Sequence, residues 1–359
     1  MSGDKAMTVL IMAGGTGGHV IPALSVAKNM LARGFSVRWL GTRRGIESEL
    51  VPKSGIAIDF ITVEGVRGKR LLAWLKLPFQ LLRAIAEAIK VIRQLRPNVV
   101  LGLGGFASGP GGIAARLLGL PLVIHEQNAI AGTTNRLLGR VAQQRLEAFP
   151  HSLARAVMVG NPVRHEIFEL PLPENRYESR NDSKNLLILG GSLGALKLNE
   201  LIPAAVALMN SDERPTIWHQ CGKNHIEATQ KAYADCRIEA RIDPFIDDMA
   251  RAYGWADLVV CRSGALTVAE ITAAGVAALF VPYPFAIDDH QTRNAEWLVK
   301  NDAAELRQQN QLTPGSLQQL LSELMSDRNR LLAMASNAKR LAMPDAADKV
   351  VEACVQAAS

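Results

Sequence analysis

Cysteine is scarce in this chain: 359 residues hold four, at positions 221, 236, 261 and 354. None forms a C-x-x-C pair or a Cys/His ligand spacing. That excludes a disulfide framework and a structural zinc module, and it fits reduced thiols in a cytosolic protein. Uninterrupted apolar runs of spanning length are lacking too. The stretch 97–115 carries six glycines and two prolines, and 271–287 ends in Pro282 and Pro284. Each is better explained as a buried strand with flanking loops than as a spanning helix. The N-terminal MSGDKAM has no signal-peptide anatomy, so the expectation is a soluble protein, at most peripheral to a membrane. Acidic residues nearly vanish between Arg67 and Arg96, where Glu87 stands alone against eight Lys and Arg.

What is present is an α/β pattern. Short apolar, β-branched runs at 8–13, 36–40, 98–103, 121–125, 185–189, 216–220, 258–261 and 278–281 alternate with helical patterns. Such strands argue a parallel sheet covered on both faces. The pattern starts twice, with TVLIMAGGTGGHV and with NLLILGGSLGAL, separated by the polar segment PLPENRYESRNDSK. We expect two doubly wound domains, 1–163 and 164–340, with a C-terminal helix in 341–359 packing back on the first. Ligands sit beyond the carboxyl ends of strands in such sheets, so both halves are expected to face one cleft.

Three glycine loops follow strands and open helices: Gly14–His19, Gly104–Pro110 (with Gly104, Gly105, Ser108 and Gly109) and Gly190–Ala195. Exposed N–H groups and the helix dipole there favour an anion. None is a P-loop, since no Gly-Lys-Ser/Thr follows. The first fits a dinucleotide fingerprint poorly, because Val20 takes the third glycine position and Arg43-Arg44, not an acid, ends the second strand. In ADLVVCRSGALTVAE, Ser263 is a predicted N-cap and Glu270 is placed to accept ribose hydroxyls, or else to serve as a dipole partner on a solvated face. PYPFAIDDHQ offers Asp288, Asp289, His290 and Gln291, with Asp289 a predicted N-cap and no third metal ligand beside the pair. HEQN puts His125, Glu126, Gln127 and Asn128 just past a buried strand, which is costly unless they serve a site or a buried network. Between Arg67 and Arg96 the basic residues Lys69, Arg70, Lys76 and Arg83 interleave with Trp74, Leu75 and Phe79. That suits attachment to an anionic membrane surface, against the plainer reading of an amphipathic helix with a solvated basic face. No groove-reading motif supports nucleic acid.

GGTGGH, GGFASGPGG, HEQN, GNPVR, GGSLGA, FIDDM and CRSGALTVAE together resemble, over nearly the whole chain, the MurG family of bacterial N-acetylglucosaminyltransferases. The resemblance implies a GT-B glycosyltransferase: two Rossmann-like domains that transfer N-acetylglucosamine from UDP-N-acetylglucosamine to lipid I, a polyprenyl-pyrophosphate acceptor, to make lipid II. It implies no cofactor and a peripheral position on the cytoplasmic face of the inner membrane. Carried over by motif, the UDP-sugar contacts are Thr16, Gly17, Gly18, Asn128, Arg164, Ser192 and Ile246, then Ala265, Leu266, Thr267, Val268, Ala269 and Glu270, and finally Gln291. The isoleucine backbone touches uracil, the glutamate takes the ribose and the glutamine reads the sugar. The loop Gly104, Gly105, Ser108 and Gly109 is assigned to the acceptor diphosphate.

No D-x-D sequence exists to hold a metal against the leaving diphosphate. Helix N-termini, Ser192 and Arg164 would replace it, at roughly 1.5–3 kcal/mol per charge-assisted hydrogen bond. Inversion needs a base for the acceptor 4-hydroxyl. His19, at a helix N-terminus that disfavours its charged form, is one candidate and Glu126 the other. Rival readings are a UDP-N-acetylglucosamine 2-epimerase or another lipid glycosyltransferase, a nicotinamide-dependent oxidoreductase, and a membrane-recruited scaffold without activity.

Overall fold

The computed structural model describes residues 6–63, 71–178, 180, 184–191 and 194–359. The chain divides into two compact units, Met1–Val163 with Met343–Ser359, and Arg164–Ala342.

Among the described residues the first unit holds seven strands: β1 (Thr8–Ala13), β2 (Ser36–Gly41), β3 (Ala57–Phe60), β4 (Val99–Gly104), β5 (Leu122–Glu126), β6 (Gln144–Glu147) and β7 (Val157–Met158). They pair in the order β3-β2-β1-β4-β5-β6-β7, parallel throughout. The helices are α1 (Gly17–Ala32), α2 (Glu47–Lys53), α3 (Leu71–Leu95), α4 (Ser108–Leu117) and α5 (Thr133–Leu138). Successive β1 side chains point to opposite faces. Val9, Ile11 and Ala13 enter one core cluster with α1, while Leu10 and Met12 enter another with Ala88 and Ile92 of α3 and Ala114 and Ala115 of α4. Both faces of this sheet are therefore covered, which is why its central strands read as unbroken apolar runs.

The second unit carries α6 (His165–Phe168), α7 (Pro173–Glu178), α8 (Leu196–Ala207), α9 (Ile226–Asp235), α10 (Met249–Trp255), α11 (Ala265–Ala274), α12 (His290–Val299), α13 (Pro314–Ser326) and α14 (Arg328–Arg340). Its strands are β8 (Asn185–Leu189), β9 (Thr216–Gln220), β10 (Arg241–Asp243), β11 (Leu258–Cys261), β12 (Ala277–Phe280) and β13 (Ala304–Leu306), in the parallel order β10-β9-β8-β11-β12-β13. The last helix, α15 (Ala346–Ala358), belongs to the first unit, where Val350, Val351 and Cys354 join the α1 side of the core. Its Asp348 accepts from Asn29 at 3.0 Å and pairs with Arg33.

In each sheet the strand order reverses beside the first strand, between β1 and β4 and between β8 and β11. A doubly wound sheet opens a crevice at that switch point, outside the carboxyl ends of the strands. The glycine loops after β1 and β4 border it in the first unit. Gly190-Gly191 and the loop before α11 border it in the second.

Candidate active site

The first glycine loop is shaped from behind by a buried carboxylate. Glu47 accepts from the Gly15 amide (2.9 Å), the Thr42 amide (3.0 Å) and the Thr42 hydroxyl (2.8 Å). A Cβ on Gly14, Gly41 or Gly45 would lie within 3 Å of that side chain, so these glycines make room for it. Gly105 makes room for the loop itself, since a Cβ there would strike the Gly14 carbonyl oxygen at 2.1 Å. Gly17 and Gly18 answer no such need. They begin a regular helix, and a Cβ on either would meet only side-chain atoms, at 3.5 Å or more. The fold does not demand glycine in this first turn, where it weakens the helix by roughly 1 kcal/mol relative to alanine.

Thr16 is the exposed N-cap of α1 and makes no side-chain cap bond. His19, half-buried, is the third residue of that helix, and its ring fills the space that a Cβ on Gly104 would invade. From its Nδ1 a chain of hydrogen bonds runs inward: 2.7 Å to Gln127 Oε1, 2.9 Å from Gln127 Nε2 to His125 Nδ1, and 2.8 Å from His125 Nε2 to the Gly160 carbonyl. Burial pushes the His125 pKa down, against the raising influence of the Gly160 bond and Glu126.

Glu126 is buried and fully engaged in shaping the loop that follows β5. One carboxylate oxygen accepts from the Asn128 amide (2.9 Å) and its side chain (3.3 Å), the other from the Gly132 amide (3.1 Å) and Asn135 (2.9 Å). Asn128 thus sits on a loop pinned by its neighbour. The Ser108 hydroxyl is also internal, within 3.1 Å of the Gly104 amide and carbonyl and of the Met12 carbonyl. Gly109 follows it in the first turn of α4.

In the second unit, α11 starts at the N-cap Gly264, not at Ser263, which is fully buried with a hydroxyl that has no partner among the described residues. Ala265, Leu266, Thr267, Val268 and Ala269 form its opening turns, and Glu270 follows, almost wholly buried. The Glu270 carboxylate receives the Arg164 guanidinium at 2.7 Å and the Tyr253 hydroxyl at 3.1 Å. Burial disfavours the Arg164 charge, yet Glu270 outweighs it and the arginine pKa is raised. Burial, reinforced by Glu270, drives the Tyr253 pKa well up. Arg164 also reaches the Asp247 carbonyl, at 3.5 Å. Ile246 is buried beside it.

Gln291 lies in the first turn of α12, where its side-chain oxygen accepts from the Tyr283 amide at 2.9 Å. Asp289 does hold the N-cap position of α12, in a left-handed conformation, but its carboxylate accepts from the Thr292 hydroxyl (2.6 Å) and caps no backbone N–H. Ser192, Lys69 and Arg70 lie outside the described residues. Trp74, Leu75 and Lys76 fall within α3, and their side chains are likewise outside the description. Further along α3, Phe79 and Leu82 are 75% and 64% exposed, and Arg83 pairs with Glu87 at 2.8 Å. No group of three His, Cys, Asp or Glu among the described residues is arranged to hold a metal ion.

Glu47 and Tyr253 escaped sequence reasoning. Glu47 acts 32 positions from the loop it braces, and Tyr253 sits on a different helix from Glu270, so neither belongs to a local motif. The clustering of Gly41, Gly45 and Glu47 behind β2 is the signal that was available.

The glycosyltransferase family 28 N-terminal domain matches residues 9–146, and the family's C-terminal domain matches residues 185–350. The chain is 54% identical to the UDP-N-acetylglucosamine--N-acetylmuramyl-(pentapeptide) pyrophosphoryl-undecaprenol N-acetylglucosamine transferase of Cellvibrio japonicus, over 99% of each chain. It is 53% identical to the enzyme of the same name from Ectopseudomonas mendocina, over 96% of this chain and 97% of the relative. The crystal structure of Acinetobacter baumannii MurG superposes with a TM-score of 0.85, at 44% identity, covering 98% of this chain and 99% of that one. Two Rossmann-like parallel sheets, each with glycine loops at its switch point, accord with that kinship, and the chain belongs to the MurG family within glycosyltransferase family 28.

Proposed function

We propose that this chain transfers N-acetylglucosamine from UDP-N-acetylglucosamine to the muramyl 4-hydroxyl of lipid I, with inversion and without a metal, to form lipid II. The observation that carries the proposal is kinship along the whole chain, 54% identity over 99% of both sequences. Glu270 is suited to the ribose. Two of a carboxylate's roughly four acceptor positions are taken by Arg164 and Tyr253, which leaves the others for a diol. Arg164, Ser192, Gln291 and the backbone of Ile246 complete the nucleotide-sugar contacts in this reading. Thr16, Gly17, Gly18 and Asn128 are the contacts contributed by the first unit. The unforced glycines of the α1 first turn support a close approach of diphosphate to the helix N-terminus.

His19 is the base in this scheme. Glu126 accepts four hydrogen bonds from its own loop, so no oxygen remains for a hydroxyl proton. The acceptor diphosphate is assigned to Gly104, Gly105, Ser108 and Gly109. Because the Ser108 hydroxyl and the Gly104 amide engage each other, the backbone N–H groups of Gly105, Ser108 and Gly109 carry that contact in this reading. Exposed Phe79 and Leu82 beside Arg83 support docking on an anionic membrane surface, at the cytoplasmic face of the inner membrane. No described helix is long and apolar enough to cross a membrane.

The test is incubation with UDP-N-acetylglucosamine labelled in the sugar, with and without lipid I. UDP and labelled lipid are expected only when the acceptor is present. Free UDP without acceptor, or epimerised sugar nucleotide, overturns the proposal.

A further inference from the structure

The hydrogen-bond chain behind His19 has a direction, and one end sets it. The Gly160 carbonyl can only accept, so His125 Nε2, 2.8 Å away, carries a proton. His125 is completely buried, and burial lowers its pKa, so the ring is neutral and Nδ1 presents a lone pair. The Gln127 atom 2.9 Å from that lone pair is then the amide nitrogen. The same nitrogen lies 2.8 Å from the His125 carbonyl oxygen, a second acceptor that demands the same orientation. The Gln127 oxygen therefore faces His19 Nδ1 at 2.7 Å, and an oxygen without a proton requires a donor opposite.

We propose that Gln127 and His125 are positioning residues: the proton-ordered chain Gly160–His125–Gln127 holds His19 as its Nδ1–H tautomer and leaves Nε2 as the proton-accepting atom. An unconstrained imidazole favours the opposite tautomer, so the fold imposes this one. Glycine at 104 is part of the device, because a Cβ there would come within 3.0 Å of the His19 ring. The consequence for turnover rests on His19 being the base, whereas the tautomer does not, and the experiment separates the two.

The full chain labelled with ¹⁵N-histidine is examined at neutral pH by long-range ¹H–¹⁵N correlation, with the two rings assigned from His19→Ala and His125→Asn. The unmodified chain is expected to show His19 protonated on Nδ1 and His125 protonated on Nε2. Gln127→Met should move His19 toward Nε2–H and lower kcat by about 10- to 100-fold with the UDP-N-acetylglucosamine KM unchanged. Gln127→Glu keeps an acceptor opposite His19 Nδ1 but loses the donor to His125, so it should hold the Nδ1–H of His19 while recovering only part of kcat. An Nε2–H His19 in the unmodified chain overturns the proposal, as does a Gln127→Met chain with an unshifted tautomer. If the tautomer follows Gln127 but His19→Ala keeps full turnover, the positioning stands and the base assignment falls.

Discussion

The two units share one strand order over six strands but dispose of their buried polar groups in opposite ways. Each buries a neutral histidine on a sheet strand. In the second unit, His219 receives the Tyr233 hydroxyl at 2.8 Å and meets Asn199 at 3.0 Å, and Asn199 turns back to the Cys221 carbonyl at 3.0 Å. That network ends inside the core, on a backbone carbonyl. In the first unit, the network that starts at His125 leads outward through Gln127 to half-buried His19. What the second unit brings toward its switch point is a charge pair, Arg164 with Glu270. The same residue type at the same depth is thus enclosed in one unit and, in the proposed mechanism, tied to the base in the other. What decides is where its hydrogen bonds end.

The sharpest break between the two histidine networks is expected in turnover. His19→Ala should lower kcat by about 10²- to 10⁴-fold in the lipid I assay, the usual worth of a general base. Tyr233→Phe, which strips a bond from the enclosed network, should leave kcat within about twofold and appear only as a loss of roughly 1–3 kcal/mol in urea unfolding.

Next in size is Glu47→Ala. It orphans the amides of Gly15 and Thr42 and the Thr42 hydroxyl, and should destabilise the first unit by roughly 3–5 kcal/mol. Urea midpoints for this variant and for the unmodified chain check it.

Acid should expose the enclosed network more gently. Burial drives the His219 pKa to about 3, from the usual ~6.5 of an unfolded chain. The stability linked to its neutral form is complete above about pH 6.5 and is lost as pH falls toward 3, by at most about 1.4 kcal/mol per unit. His125, also lowered by burial, adds in the same direction. Urea midpoints measured between these limits should fall with pH, and His219→Phe should flatten the slope.

The smallest effect has opposite signs for fold and function. Gly17→Ala should raise stability by up to about 1 kcal/mol, since its Cβ meets Ile21 at 3.5 Å and Ile46 at 3.8 Å, both ordinary contacts. The same methyl should lower kcat/KM at least tenfold by keeping phosphate from the helix terminus. A variant that is more stable and equally active would remove the argument that this glycine serves a ligand.

These residues also show what the sequence makes legible. The central strands β1, β4, β8 and β11 are covered on both faces, so their apolar runs announce them almost to the residue. β3, β7, β10 and β13 lie toward the sheet edges and are short and partly exposed. Strands such as RID and AEL therefore carry no apolar signature. The site divides the same way. Glycine loops and HEQN are contiguous and stand out as strings. The Gln127–His19 bond spans 108 positions and the Arg164–Glu270 pair spans 106, and only folding brings such partners together. Ser263 illustrates the limit of local rules. The helix start was readable to within one residue, but the chain buries the hydroxyl and lets Gly264 take the N-cap.

In the proposed division of labour the second unit holds the nucleotide while the first supplies the proton acceptor. Calorimetric titration of UDP into His19→Ala and Glu270→Ala chains, each checked for folding, tests it most directly. A His19→Ala chain is expected to bind UDP within about threefold of the unmodified one. A Glu270→Ala chain should be weakened on the order of 10²-fold, the worth of one or two hydrogen bonds to a charged group. Equal loss of UDP affinity in both variants, or tight binding by Glu270→Ala, would contradict it.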